Sequence, residues 1–137
     1  MNKITINGEE KNIEVTAILP LLYKKLFNRD PYIQQERFNL DNGGTIDGDT
    51  QTCNDWVLQI AFCAMKLAEV KARTKTSAEA LQDFMKTDIV EYYLFLDSQA
   101  PRECTQGANL DAILDEWRQA TRATGKSKNL EGPQSEN

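Results

Sequence analysis

Apolar and polar positions alternate at the start of the chain, with Ile4 and Ile6 on one face, a polar stretch opening on Asn7-Gly8, then Ile13 and Val15. A period of two marks a half-buried strand, and Asn-Gly supplies the positive backbone angles of a tight turn. The pattern predicts a β-hairpin over about residues 2–15, its connection longer than the two-residue ideal because five or more positions separate the apolar pairs. A lone hairpin is marginal in water, so Ile4, Ile6, Ile13 and Val15 must rest on a helical layer.

From Thr16 the period changes to that of a helix. Thr16 is the expected N-cap of a segment through Phe27 that carries Ile18, Leu19, Leu22, Leu26 and Phe27 on one stripe, and Pro20 is tolerable in its first turn. Asn28-Arg29-Asp30-Pro31 breaks it and offers Asp30 as the cap of a short helix containing Ile33 and Phe38. Leu40–Thr50 is Gly-rich and acidic without periodicity and reads as a surface loop. Thr52 and Asp55 then suggest a capping box for the strongest helix, in which Cys53, Trp56, Val57, Ile60, Ala61, Ala64, Leu67 and Ala68 recur at helical spacing. Leu58, Phe62 and Met65 widen its apolar surface, which places this helix at the centre of the domain.

Thr76 and Glu79 form a second capping box ahead of Leu81, Phe84 and Met85, and Asp88 caps a nearly continuous apolar run from Ile89 to Leu96. Periodicity cannot assign such a run, but the preceding caps favour a helix. Ala100-Pro101 end it, the segment holding Cys104 and Gly107 reads as a loop, and Asn109 is the expected cap of a last amphipathic helix closing near Gly125. The fold class is therefore mainly α (α+β): one helical domain over residues 1–125 with an N-terminal hairpin, and a disordered polar tail over residues 126–137.

Composition narrows the function. The 137 residues include 16 basic and 21 acidic side chains, a net charge of −5 that disfavours nucleic acid and anionic lipid as partners. No apolar run approaches a bilayer span and no signal-like leader opens the chain, so a cytoplasmic protein is expected. Cys53, Cys63 and Cys104 are odd in number and widely spaced, and read as buried free thiols. Histidine is absent, which removes the commonest general base and metal ligand; neither an enzyme nor a cofactor is expected.

Each candidate site has a plainer explanation. Asp41, Asp47 and Asp49 could offer oxygen ligands, yet an EF-hand starting at Asp47 would place Thr52 and Leu58 where glycine and glutamate are required. Lys71, Arg73 and Lys75 suit a helix C-terminus. Trp56, Tyr92, Tyr93 and Phe95 could line a pocket but are expected to pack the core. The stripe of Leu110, Ile113, Leu114 and Trp117 suits core packing or partner binding, and Trp117 is the kind of anchor that interfaces favour.

The order "ITINGEE" to "IEV", "LYKKLFNRD", "DTQTCNDWVLQIAFCAMKLA", "SAEALQDFMKTDIVEYY" and "LDAILDEWRQAT" with a polar tail resembles the tail assembly chaperones of long-tailed phages and prophages of Gram-positive bacteria. That resemblance implies a protein of the host cytoplasm, absent from the mature virion, that coats the tape-measure protein and keeps it soluble until tail-tube subunits displace it. It further implies a longer form, made by ribosomal frameshifting, that recruits the tail-tube protein; a coat that gains its hold through many moderate contacts is compatible with a homo-oligomer. Under this resemblance, Leu110, Ile113, Leu114 and Trp117 are expected to contribute to partner binding. Two rival classes are a small acidic inhibitor of the antitoxin or anti-repressor type, and a divalent-metal hydrolase built on Glu36, Asp41, Asp47 and Asp49; no recognisable ligand spacing supports the latter.

Overall fold

The computed structural model describes residues 2–42 and 51–128, with side chains over 2–36 and 55–121. Two strands, β1 (Asn2–Ile6) and β2 (Glu9–Ile13), precede α1 (Leu19–Phe27), α2 (Pro31–Asn42), α3 (Gln51–Arg73), α4 (Ser77–Phe84), α5 (Ile89–Leu96), α6 (Ala100–Cys104) and α7 (Gly107–Lys128). The chain is thus mainly helical with an antiparallel N-terminal hairpin.

The hairpin turn is tighter than the apolar spacing predicts. Asn7 and Gly8 adopt φ of 54° and 81° and form the whole connection, so Glu9, Glu10, Lys11 and Asn12 belong to β2. These residues are exposed, and ladder pairing with β1, rather than apolar alternation, makes them a strand. Ile4, Ile6, Ile13 and Val15 are buried together as their spacing requires.

The central helix is α3, which packs against β2 and all six other helices. Val57, Ile60, Ala61, Cys63, Ala64, Leu67 and Val70 are buried along it, and Leu58 and Phe62 widen the apolar face as expected. Trp56 donates from Nε1 to the Pro31 carbonyl at 3.0 Å and fixes the start of α2 on α3. Asp30 accepts from the Tyr32 N–H at 2.8 Å, so its predicted capping role holds. The short helix expected there runs to Asn42 and takes in Leu40–Asn42, which the sequence assigns to a loop. Helix α3 already includes Gln51, so Thr52 lies within it and does not cap it; the Thr52 side chain lies outside the described residues.

Further caps explain the succeeding elements. Thr76 and Glu79 exchange both bonds of a capping box at α4, and Asp88 with Glu91 does the same at α5. Further boundaries differ from expectation. Helix α1 opens at Leu19, because Thr16 closes a preliminary turn with its carbonyl instead of capping the helix. Pro101 does not only follow α5: with its φ preset for a first helical turn, it helps start α6. Helix α7 opens at Gly107 and passes Gly125 to Lys128, since a single glycine costs only about 1 kcal/mol and does not end a helix.

Asn109 has a task that its type alone does not reveal. It accepts from the Thr5 N–H at 2.8 Å and donates to the Thr5 carbonyl at 2.7 Å, occupying the outer edge of β1 as a neighbouring strand would. Glu103 accepts from the Asn7 N–H at 2.7 Å and Glu116 from the Asn2 N–H at 3.2 Å, so α6 and α7 together hold that strand along its length.

Candidate functional site

The predicted partner-binding stripe faces inward. Trp117 is 1% exposed, Ile113 and Leu114 are buried, and Leu110 is half-buried against the same core. Trp117 meets Trp56 edge to face at 5.7 Å and Tyr32 at 5.4 Å, while α7 lies on β1 and α3. A helix with one wide apolar stripe buries it against the nearest apolar layer, and the hairpin supplies that layer. A partner would reach Ile113, Leu114 and Trp117 only by displacing α7, while Leu110 stays partly accessible. The Trp117 Nε1 is buried with no hydrogen-bond partner among the described residues.

Among the described residues, α5 exposes more large apolar side chains than any other element, with Leu21 on α1 and Tyr32 and Ile33 on α2 also exposed. Asp88 and Glu91 fix the start of this eight-residue helix, and Tyr92 turns inward against Phe27 and Phe62 at ring separations of 4.8 and 5.3 Å. The opposite face then points outward: Val90, Tyr93 and Leu94 are 55%, 58% and 66% exposed, and Leu96 is also exposed. Spacings of three and four residues put Val90, Tyr93 and Leu94 on one stripe. Tyr93, expected in the core with Trp56 and Tyr92, is therefore a surface residue. A two-turn helix with apolar residues all round can bury only the side that meets α3 and α1.

Several bonds hold α5 rigidly beneath this stripe. Lys66 reaches Glu91 at 2.7 Å and Glu69 at 3.1 Å. Partial burial works to lower the Lys66 pKa, but the hydrogen bonds that its ammonium donates to Glu91 and Glu69 outweigh it and raise the value. The same bond with Lys66, followed by the Asp88 main chain, holds Glu91 below the ordinary carboxylate range. Lys25 donates to the carbonyls of Met85 and Thr87, tying α1 to the turn before α5.

The remaining candidates are structural in their surroundings. Cys63 and Cys104 are buried free thiols; burial pushes Cys63 well above the ordinary thiol range and Cys104 to about 12, which keeps both protonated. The Cys53, Asp41, Asp47 and Asp49 side chains lie outside the described residues, and Glu36 is exposed on α2. Arg73 pairs with Asp83 at 2.8 Å and Lys71 with Glu14 at 2.5 Å, so two members of the basic link join α3 to α4 and to the hairpin's exit. Tyr23 and Tyr92 are lifted above the ordinary phenol range, first by burial. No described helix is long and apolar enough to cross a membrane.

Comparison with protein-family models, curated proteins and solved structures finds no match. The reading of this surface rests on the geometry of α5.

Proposed function

We propose that the chain is a protein-binding module, a phage tail assembly chaperone that holds the tape-measure protein in the host cytoplasm through the outer face of α5. The observation that carries this is the stripe of Val90, Tyr93 and Leu94, exposed on a helix whose other face and both ends are fixed. Apolar side chains at helical spacing suit the apolar face of a second helix, and a tape-measure rod left bare would associate through such faces.

Magnitude shapes the mechanism. Eight residues of helix span about 12 Å, which covers roughly two turns of a partner helix. Such a contact is far below the roughly 800 Å² per partner of a stable interface, so one copy binds weakly and is readily displaced by tail-tube subunits. Many copies along one rod hold it through repetition, and the net charge of −5 keeps the coat dispersed. Contacts between neighbouring copies, and recruitment of the tail-tube protein by a frameshifted longer form, are further parts of this proposal.

Co-expression with a long helical tape-measure protein, followed by affinity capture and a solubility assay, tests it. Co-purification in many copies per rod, with solubility lost when the chain is omitted, is the expected result. No association and equal solubility of the long protein alone would overturn it and redirect the search to a small regulatory partner.

A further inference from the structure

The two outer edges of the hairpin differ. Side chains from α6 and α7 cover the β1 edge at Thr5 and hold the main chain at its two ends, Asn2 and Asn7. On β2, the tight turn makes Ile6 and Glu9 a hydrogen-bonded pair, so alternation directs the main-chain groups of Glu10, Asn12 and Glu14 outward. The Glu14 N–H donates to the Ala64 carbonyl at 3.1 Å, whereas among the described residues nothing meets those of Glu10 and Asn12. Beside them runs a groove of about 370 Å³ between β2 and α3, with Phe62, Met65, Ala72 and Phe95 among its lining.

We propose that this edge docks an extended, uncharged apolar segment of another polypeptide as a third strand. The segment exchanges main-chain hydrogen bonds with Glu10 and Asn12 and lays alternate side chains into the groove, the usual geometry of strand addition. Charge selects this occupant. Every charged group lining the groove already has a partner: Glu10 with Lys3 at 3.6 Å, Lys11 with Glu9 at 3.1 Å, and Lys66 with Glu69 at 3.1 Å. These are mostly exposed surface pairs, and with each charge already matched a charged side chain finds no free counter-charge there, whereas an apolar one gains contact with Phe62, Met65 and Phe95.

Charge also disfavours a second copy. Two antiparallel β2 edges centred on Lys11 set Lys11 against Lys11, and centred on Glu10 they set Glu10 against Glu10, where like charges directly opposite are destabilising. Centring on Asn12 recruits Glu14, whose N–H is already held by Ala64.

Amide exchange and chemical shifts of the full chain, with and without millimolar acetyl-Thr-Val-Thr-Val-Thr-amide, test the proposal. The Glu10 and Asn12 amides should exchange freely in the chain alone. At a peptide concentration about ten times its Kd they should slow by roughly tenfold, with shifts at Phe62, Met65 and Phe95. The same peptide with both valines replaced by lysine should have no effect. Asn12→Pro, which removes an outward N–H at an edge that tolerates proline, should abolish the response while the Ile4 amide stays protected. If that variant loses the hairpin, Ala72→Glu, which places a charge in the groove from the surface of α3, decides instead. Unchanged Glu10 and Asn12 exchange at millimolar peptide, or a response that survives Ala72→Glu, would overturn the proposal. So would a homodimer that Asn12→Pro dissociates.

Discussion

Replacing Trp117 separates a core role from a binding role. Its ring is 1% exposed and packs on Trp56 and Tyr32, so Trp117→Ala removes a fully buried aromatic and should cost about 3–5 kcal/mol. Against a total stability of about 5–15 kcal/mol, that is a large fraction. With a urea m-value of about 1–3 kcal/mol/M, the midpoint should fall by roughly 2 M. Trp117→Phe behaves differently because the indole N–H has no partner among the described residues. Removing an unsatisfied buried donor recovers about 1–3 kcal/mol, which offsets much of the lost contact and leaves a net cost below about 2 kcal/mol. Urea denaturation followed by far-ultraviolet circular dichroism, with Trp56 fluorescence as a second probe, measures both variants. A cost below about 1 kcal/mol for Trp117→Ala, together with lost partner capture, would refute the core assignment and return this stripe to the surface.

Other perturbations give smaller, directional effects. Asn109→Ala should open the β1 edge, so that the Thr5 amide exchanges faster and stability falls by about 1 kcal/mol; unchanged Thr5 exchange would count against the strand-like role of this amide. Thr76→Ala removes a capping-box partner and should lower stability by about 1 kcal/mol in thermal or urea melts. Because Glu91 is held below the usual carboxylate range in the folded chain, its contribution is present at neutral pH, begins to fall near the unfolded carboxylate value and is lost as pH drops through the folded one. Glu91→Gln should therefore flatten the acid limb of the stability–pH curve, and an unaltered limb would show that the Lys66–Glu91 pair is uncoupled from folding.

The sequence was most informative where local chemistry decides structure. The capping boxes at Thr76 and Asp88 mark helix starts because the partners lie within one turn, and the apolar breadth of α3 requires a central position. It was least informative where a residue's partner is distant. Nothing local distinguishes Asn109 as a cap from Asn109 as a surrogate strand for Thr5, a residue far away in the chain. The continuous run from Ile89 to Leu96 hides which side meets α3, so the exposure of Tyr93 and Leu94 emerges only from packing. The stripe at Trp117 is legible as an apolar face, but periodicity cannot say whether the hairpin or another molecule covers it. Pro101 carries two opposite local meanings, the end of one helix and the start of another, and tertiary placement of Ala100 and Cys104 in the core selects the second.

Partner binding by the outer face of α5 stands or falls on whether a Leu94→Glu chain still captures a co-expressed tape-measure protein. Leu94 is 66% exposed, so the substitution should leave the melting curve nearly unchanged while placing a charge in the middle of the stripe. Leu21→Glu, an exposed apolar position on α1, serves as the control. Leu94→Glu should weaken each contact at least about tenfold, about 1.4 kcal/mol, and so sharply reduce co-purification, with Leu21→Glu near wild type. Wild-type capture by a folded Leu94→Glu chain would contradict binding through α5.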